Sequence, residues 1–151
     1  MKERSDIARG TVMRDILFAS KILGYQTMYS VYLPVGHEKH RSLPVLYVID
    51  GYEYILAELG NIVTILDNLI AEKKIEPIVA ILIDHREPVN RSNNKRLEEL
   101  NMNVKYLRFF TEEFIPSEEE KYSIHRDAAQ PGRAGHFYGW IDSRLFCICQ
   151  T

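Results

Sequence analysis

Cysteine is scarce in this 151-residue chain: it occurs twice, as Cys147 and Cys149, both within the last five positions. A Cys-x-Cys pair supplies half of a tetrahedral zinc site, and no second pair exists, so no metal centre is expected. An excess of either charge is also missing. Nineteen Lys and Arg against 21 Asp and Glu leave a formal charge of -2, which gives no electrostatic reason to expect nucleic acid or an anionic membrane as partner. No apolar run approaches the ~20 residues of a membrane-spanning helix. The charged start, Met1-Lys-Glu-Arg-Ser-Asp6, is followed by no apolar signal-peptide core, so the chain reads as cytoplasmic. Repeats, low-complexity stretches and linkers are absent as well.

What is present fits one soluble domain, with 46% hydrophobic and 26% charged residues. Thr11 to Ser20 and Tyr25 to Leu33 are rich in β-branched and aromatic residues, as strands prefer. Gly24 between them suits a tight reversal, which predicts an antiparallel hairpin. Leu43 to Asp50 and Pro77 to Asp84 are nearly continuous apolar runs, the pattern of strands buried on both faces. Between them Ile55, Leu56, Leu59, Ile62, Val63, Leu66, Leu69 and Ile70 recur at three- and four-residue steps, predicting one amphipathic helix. Glu53 lies in its first turn, near the positive end of the helix dipole. Strand, helix and strand form a βαβ unit, and both strands end in aspartate at the carboxyl edge, where such sheets place their ligand sites.

His85 to Asn103 is polar and reads as a long loop with one helical turn at Arg96 to Leu100; loops of this length are often functional. Val104, Leu107, Phe110 and Phe114 predict a helix against the sheet that stops near Pro116. Ser117 to Lys121 can start another turn. Asp84 and Arg86 stand at the mouth of the expected cleft, where Arg86 could steer an anionic substrate, or such residues could simply cap the strand end or pair with Glu87. Arg91, Lys95 and Arg96 are offset by Glu98 and Glu99. The histidines at 37, 40, 85 and 125 have no nucleophile in view and read as surface residues. A glycine-rich phosphate loop after the Leu43–Asp50 strand is missing, which disfavours a flavodoxin-like nucleotide site.

Several blocks, in order and at this spacing, resemble the esterase-D and enterochelin-esterase-like family of α/β hydrolases. They are Val31-Tyr-Leu-Pro34, Pro44-Val-Leu-Tyr-Val-Ile-Asp-Gly51, Leu66-Asp-Asn-Leu-Ile70 and Pro77-Ile-Val-Ala-Ile-Leu-Ile-Asp84. Asn103-Val-Lys-Tyr106, Thr111-Glu-Glu-Phe-Ile-Pro116 and Lys121-Tyr122 follow. The likeness runs over roughly residues 10–135 and implies a partial α/β-hydrolase domain. Its sheet would be mostly parallel, with an N-terminal antiparallel hairpin, flanking helices and an aberrant tail at 136–151. It also implies hydrolysis of a small-molecule carboxylic ester without metal or organic cofactor. The backbone around Gly51 and Tyr52 would donate to the oxyanion, although Gly51 also suits a plain strand-to-helix turn.

The resemblance fails at its most important point. After Tyr122 the family leads into Gly-x-Ser-x-Gly-Gly, a sharp turn that exposes the serine oxygen above the sheet. Here Arg133-Ala134-Gly135 is followed by His136-Phe137-Tyr138-Gly139-Trp140, bulky side chains that cannot copy that turn. Gly-His-Phe-Tyr-Gly-Trp-Ile is encoded by GGN CAY TTY TAY GGN TGG ATH. Removing one base from the Gly135 codon permits GGC ATT TCT ATG GGT GGA, which spells Gly-Ile-Ser-Met-Gly-Gly. A one-base insertion near Gly135 therefore accounts for the missing elbow; a naturally diverged tail is the alternative. Acid and base follow the serine in this fold, and few residues follow here, so no catalytic residue is assigned. Ser143 has no elbow context. The competing expectation is a noncatalytic α/β binding or oligomerisation module that self-associates through an exposed sheet edge.

Overall fold

The computed structural model describes residues 3–40 and 42–122, together with a strand at 147–149. β1 (Thr11–Ala19) and β2 (Gln26–Leu33) pair as the expected antiparallel hairpin. Gly24 sits in the turn at φ 84°, a left-handed conformation that costs a glycine little. β3 (Val45–Val48) and β4 (Val79–Asp84) lie side by side in parallel, in a sheet ordered β1-β2-β4-β3-β5. β5 (Cys147–Cys149) runs antiparallel to β3.

The α/β class, the hairpin and the flanking helices are as expected. The pairing, however, is mixed rather than mostly parallel: of the pairings among β1–β5, only β3 with β4 is parallel. Parallel neighbours need a long crossover connection. Among the described residues only β3 and β4 are joined by one, and the hairpin fills the other side of β4.

β4 is buried along its whole length, which explains its continuous apolar run. Alternation sends Val79, Ile81 and Ile83 to one face, where Tyr106, Phe109, Phe110 and Phe114 pack. Ala80 and Leu82 join a second cluster with Tyr32, Val48, Ile55 and Leu66. Phe114 anchors the first face, edge-on to Tyr29 at 5.0 Å and to Phe18 at 5.3 Å. None of the described helices is long and apolar enough to cross a membrane.

Two helix boundaries differ from expectation. The single helix predicted through Ile55–Ile70 is two helices, α1 (Gly51–Ile55) and α2 (Ile62–Ala71). Leu56 turns extended, Asn61 adopts φ 47°, and a Cβ on Gly60 would lie 2.4 Å from the Cα of Tyr54. The chain folds back so closely there that a continuous helix is impossible. Ile55 and Leu66 still share one cluster, but Leu56 and Leu59, expected on the same buried stripe, are exposed at the break.

The second helix does not stop at Pro116. After α3 (Arg96–Leu100), α4 (Val104–Arg108) runs through a π-helical segment (Phe109–Phe114) into α5 (Ile115–Tyr122). The N–H of Ile115 donates to the carbonyl of Phe110, five residues back. This wider register accommodates a following proline that has no N–H to give.

Glu113, in the π segment, ties the hairpin to this helix. Its carboxylate accepts from Ser20 Oγ at 2.6 Å and from the N–H groups of Lys21 and Ile22 at 2.8 and 3.4 Å. Burial pushes its pKa up, but these bonds outweigh burial and hold the carboxyl below its ordinary value. A depressed folded-state pKa stabilises fully above the unfolded value and is lost as pH falls through the folded one. Glu113→Gln should therefore cost roughly 1–2 kcal/mol near neutrality. The difference from the unmodified chain should shrink below the reference pKa of 4.5. Urea melts at several pH values would measure both; identical pH profiles would show that this bracket contributes nothing.

Candidate active-site edge

The carboxyl ends of β3 and β4 carry the polar residues that the sequence places at a ligand site. Asp50 leaves β3 in a left-handed conformation, φ 57° and ψ 34°, and opens α1. Its side chain makes no capping bond; Oδ2 instead accepts from Arg96 Nε at 2.6 Å. The first N–H groups of α1, those of Gly51 and Tyr52, thus have no acceptor inside the helix. Gly51 is required by a close approach: a Cβ there would stand 2.4 Å from the carbonyl carbon of Leu82.

Asp84, the last residue of β4, is buried and holds Arg86 on both carboxylate oxygens. Nε donates to Oδ1 at 2.9 Å and Nη2 to Oδ2 at 2.7 Å, and the Arg86 N–H donates to Oδ1 at 2.9 Å. The bonds to Asp84 outweigh burial and raise the Arg86 pKa further, so the guanidinium is always charged. Its Cζ lies over the Tyr52 ring, 3.6 Å from the centroid. Gly51, Tyr52, Asp84 and Arg86 are thus brought together at one edge. Glu87 pairs with Lys95 at 3.0 Å instead.

His85 is not the surface residue that was expected. Its side chain is 1% exposed, because the residue continues β4 into the space under α3. Nδ1 lies 2.5 Å from Glu99 Oε2, and Tyr25 Oη donates to Glu99 Oε1 at 2.7 Å. The Tyr106 ring packs on the imidazole, and the Lys95 ammonium sits 3.9 Å over the Tyr25 ring. Burial first, and Glu99 second, raise the pKa of Tyr25, so its phenol stays protonated as the donor. His85 Nε2 is buried with no hydrogen-bond partner.

Glu99 is the residue that sequence reasoning missed. Its neighbours in sequence suggest an offset to nearby basic charge, yet it is 4% exposed. The available signal was its three-residue spacing from Arg96, which puts both on one face of α3. From that face Arg96 reaches Asp50 after β3, and Glu99 reaches His85 after β4. His37 and His40 are partly or fully exposed, as expected for their loop. The elbow stretch Arg133–Trp140, with His125, His136 and Ser143, lies outside the described residues. No group of metal-ligating side chains occurs among the described residues.

The profile of the family named Esterase, described as "Putative esterase", matches residues 20–138. The chain belongs to this esterase family. It is similar to an endo-1,4-beta-xylanase/feruloyl esterase of Xylanibacter ruminicola, 24% identical over 96% of this chain but only 20% of that protein. Among solved structures it resembles a CE1 ferulic acid esterase from Anaeromyces mucronatus, with TM-score 0.63 at 23% identity. That match covers 82% of this chain and 47% of the other. An enterochelin esterase from Shigella flexneri superposes with TM-score 0.61 at 16% identity, covering 82% of this chain and 28% of that one. The chain thus spans about half the length of the ferulic acid esterase, and these likenesses carry the fold.

Removing the acceptor at Glu99 tests the buried network of this esterase-family chain. Glu99→Leu leaves the Tyr25 hydroxyl and His85 Nδ1 unpaired and should cost roughly 2–4 kcal/mol. Glu99→Gln, which keeps one acceptor oxygen, should cost less. Equal losses in chemical denaturation would mean that shape alone, not hydrogen bonding, holds α3.

Proposed function

We propose that this chain is the N-terminal part of a serine esterase that hydrolyses small-molecule carboxylic esters, and that it is inactive as written. The turn Asp50–Gly51–Tyr52 carries the reading. It lies at the carboxyl edge, is fixed by Arg96, Leu82 and Arg86, and keeps two backbone N–H groups free of intrahelical acceptors. Backbone donors held rigidly in this way stabilise the oxyanion that forms when a serine attacks an ester carbonyl. Similarity to proteins named feruloyl and enterochelin esterase supports a carboxylic ester as the substrate class.

The serine elbow is not written in this register, and the acid and base follow it in chain order in this fold. We attribute His136–Trp140 to a one-base insertion at the Gly135 codon, because codons compatible with this stretch permit a serine elbow in the shifted frame, where the fold needs one. In the restored register the serine would attack, a histidine would take its proton, and an acid would orient the histidine. Neither metal nor organic cofactor enters that scheme.

This chain should show no saturable turnover of para-nitrophenyl acetate. The same gene with one base removed at the Gly135 codon, read on into its downstream frame, should hydrolyse the ester. That activity should be abolished by a serine-directed phosphonate. Phosphonate-sensitive turnover by the unrepaired chain would overturn the proposal, as would an inert repaired protein that folds.

A noncatalytic module is the second reading, favoured by a described sheet that ends beyond β3 in β5, a strand of three residues. The other edge is protected: β1 carries a register shift between Met13 and Ile16, with Asp15 at φ 56°. Self-association would therefore run through the β5 side of the sheet. A monodisperse dimer in size-exclusion chromatography, lost on Ile148→Pro, is the result expected from that reading; a monomer or heterogeneous aggregates would count against it.

A further inference from the structure

Arg86 stands where a cation for an anionic substrate would stand, but its contacts point elsewhere. Both carboxylate oxygens of Asp84 are engaged by its Nε and Nη2, and its backbone N–H holds Oδ1 as well. One flat face of the guanidinium is covered by the Tyr52 ring. The backbone is pinned again by an isolated bridge between Arg86 and Asn94. Turning the guanidinium toward a substrate carboxylate would break a buried bidentate pair and uncover the ring. With Asp84 beside it, the net charge available for steering is small.

We propose that Arg86 is a positioning residue: with Asp84 it clamps the Tyr52 ring and so sets the direction of the Tyr52 backbone N–H. The mechanical path is short. β4 is buried throughout and fixes Asp84; Asp84 fixes the plane of Arg86; that plane fixes the ring, and the ring fixes the main chain two bonds away. The turn's other contacts act on its neighbours, Arg96 on Asp50 and Leu82 on Gly51. The Tyr52 hydroxyl donates only to Glu53, the adjacent and exposed residue, so the ring's hold on the sheet runs through Arg86. A lysine cannot do this work, because an ammonium offers neither a planar face nor a two-pronged bond. This inference rests on the esterase reading for its purpose but not for its geometry.

Its first test uses the chain as it is. In Arg86→Lys, 15N relaxation should show the Tyr52 amide order parameter falling from about 0.85 toward 0.6, while Ile81 and Leu82 in β4 stay rigid. Tyr52→Leu, which attacks the clamp from its other end, should loosen the same turn, and the double variant should be no looser than either single one. An unchanged Tyr52 amide in Arg86→Lys, with β4 intact, overturns the proposal.

The second test uses the register-restored enzyme. Arg86→Lys should lower kcat roughly tenfold to a hundredfold and leave KM nearly unchanged for neutral and anionic esters alike. A rise in KM confined to anionic esters would make Arg86 a substrate-binding residue and overturn the clamp. If the restored enzyme hydrolyses nothing, the esterase reading fails alone, because the Tyr52 amide in the present chain still decides the clamp.

Discussion

The contact between Gly51 and the backbone of Leu82 organises the carboxyl edge of the sheet. With room for no side chain between them, the turn after β3 is pressed directly against β4. That proximity carries Tyr52 to Arg86 and leaves Asp50 facing α3. A larger residue at position 51 would lift the turn away and separate all of these groups. Packing of two backbones, rather than any polar bond, is therefore the constraint from which the site geometry follows.

Electrostatics then fixes what packing brings near. Asp84 is matched to Arg86, Asp50 to Arg96, and Glu87 to Lys95, each within 3.0 Å. Glu99 is buried and answered by the imidazole of His85 and the phenol of Tyr25. A buried carboxylate is costly without such partners and rigid with them. α3 is only Arg96–Leu100, too short to persist by its own hydrogen bonds. Two of its side chains, reaching the ends of two different strands, hold it across the edge. Leu100 packs against the core as well, while Leu97, at 77% exposure, faces solvent.

Much of this architecture was legible in the residues. The hairpin, the two buried strands, the helical turn at Arg96 to Leu100 and the order of family blocks all follow from local patterns. The strand-end positions of Gly51, Tyr52, Asp84 and Arg86 are legible too, and the structure brings the four together at the carboxyl edge. The misreadings share a cause. Apolar periodicity passes over the break at Gly60–Asn61, because it reports which face is buried and not whether the backbone is continuous. Pro116 reads as a stop until the π-helical register removes the need for its missing donor. His85 and Glu99, fourteen residues apart, each look solvated until the loop between them closes.

The sequence by itself determined the hairpin, the two buried strands and the order of the family blocks, since these depend on side-chain chemistry repeating at fixed short intervals. It also determined that the expected serine elbow is not written in this register. Tertiary structure alone decided that the pairing is mixed, that Arg86 meets Asp84 and Tyr52, and that Glu99 turns inward to His85. Those contacts depend on sheet order, with β4 placed between β2 and β3. Sheet order is settled by burial summed over the whole chain, and no local run of residues encodes it.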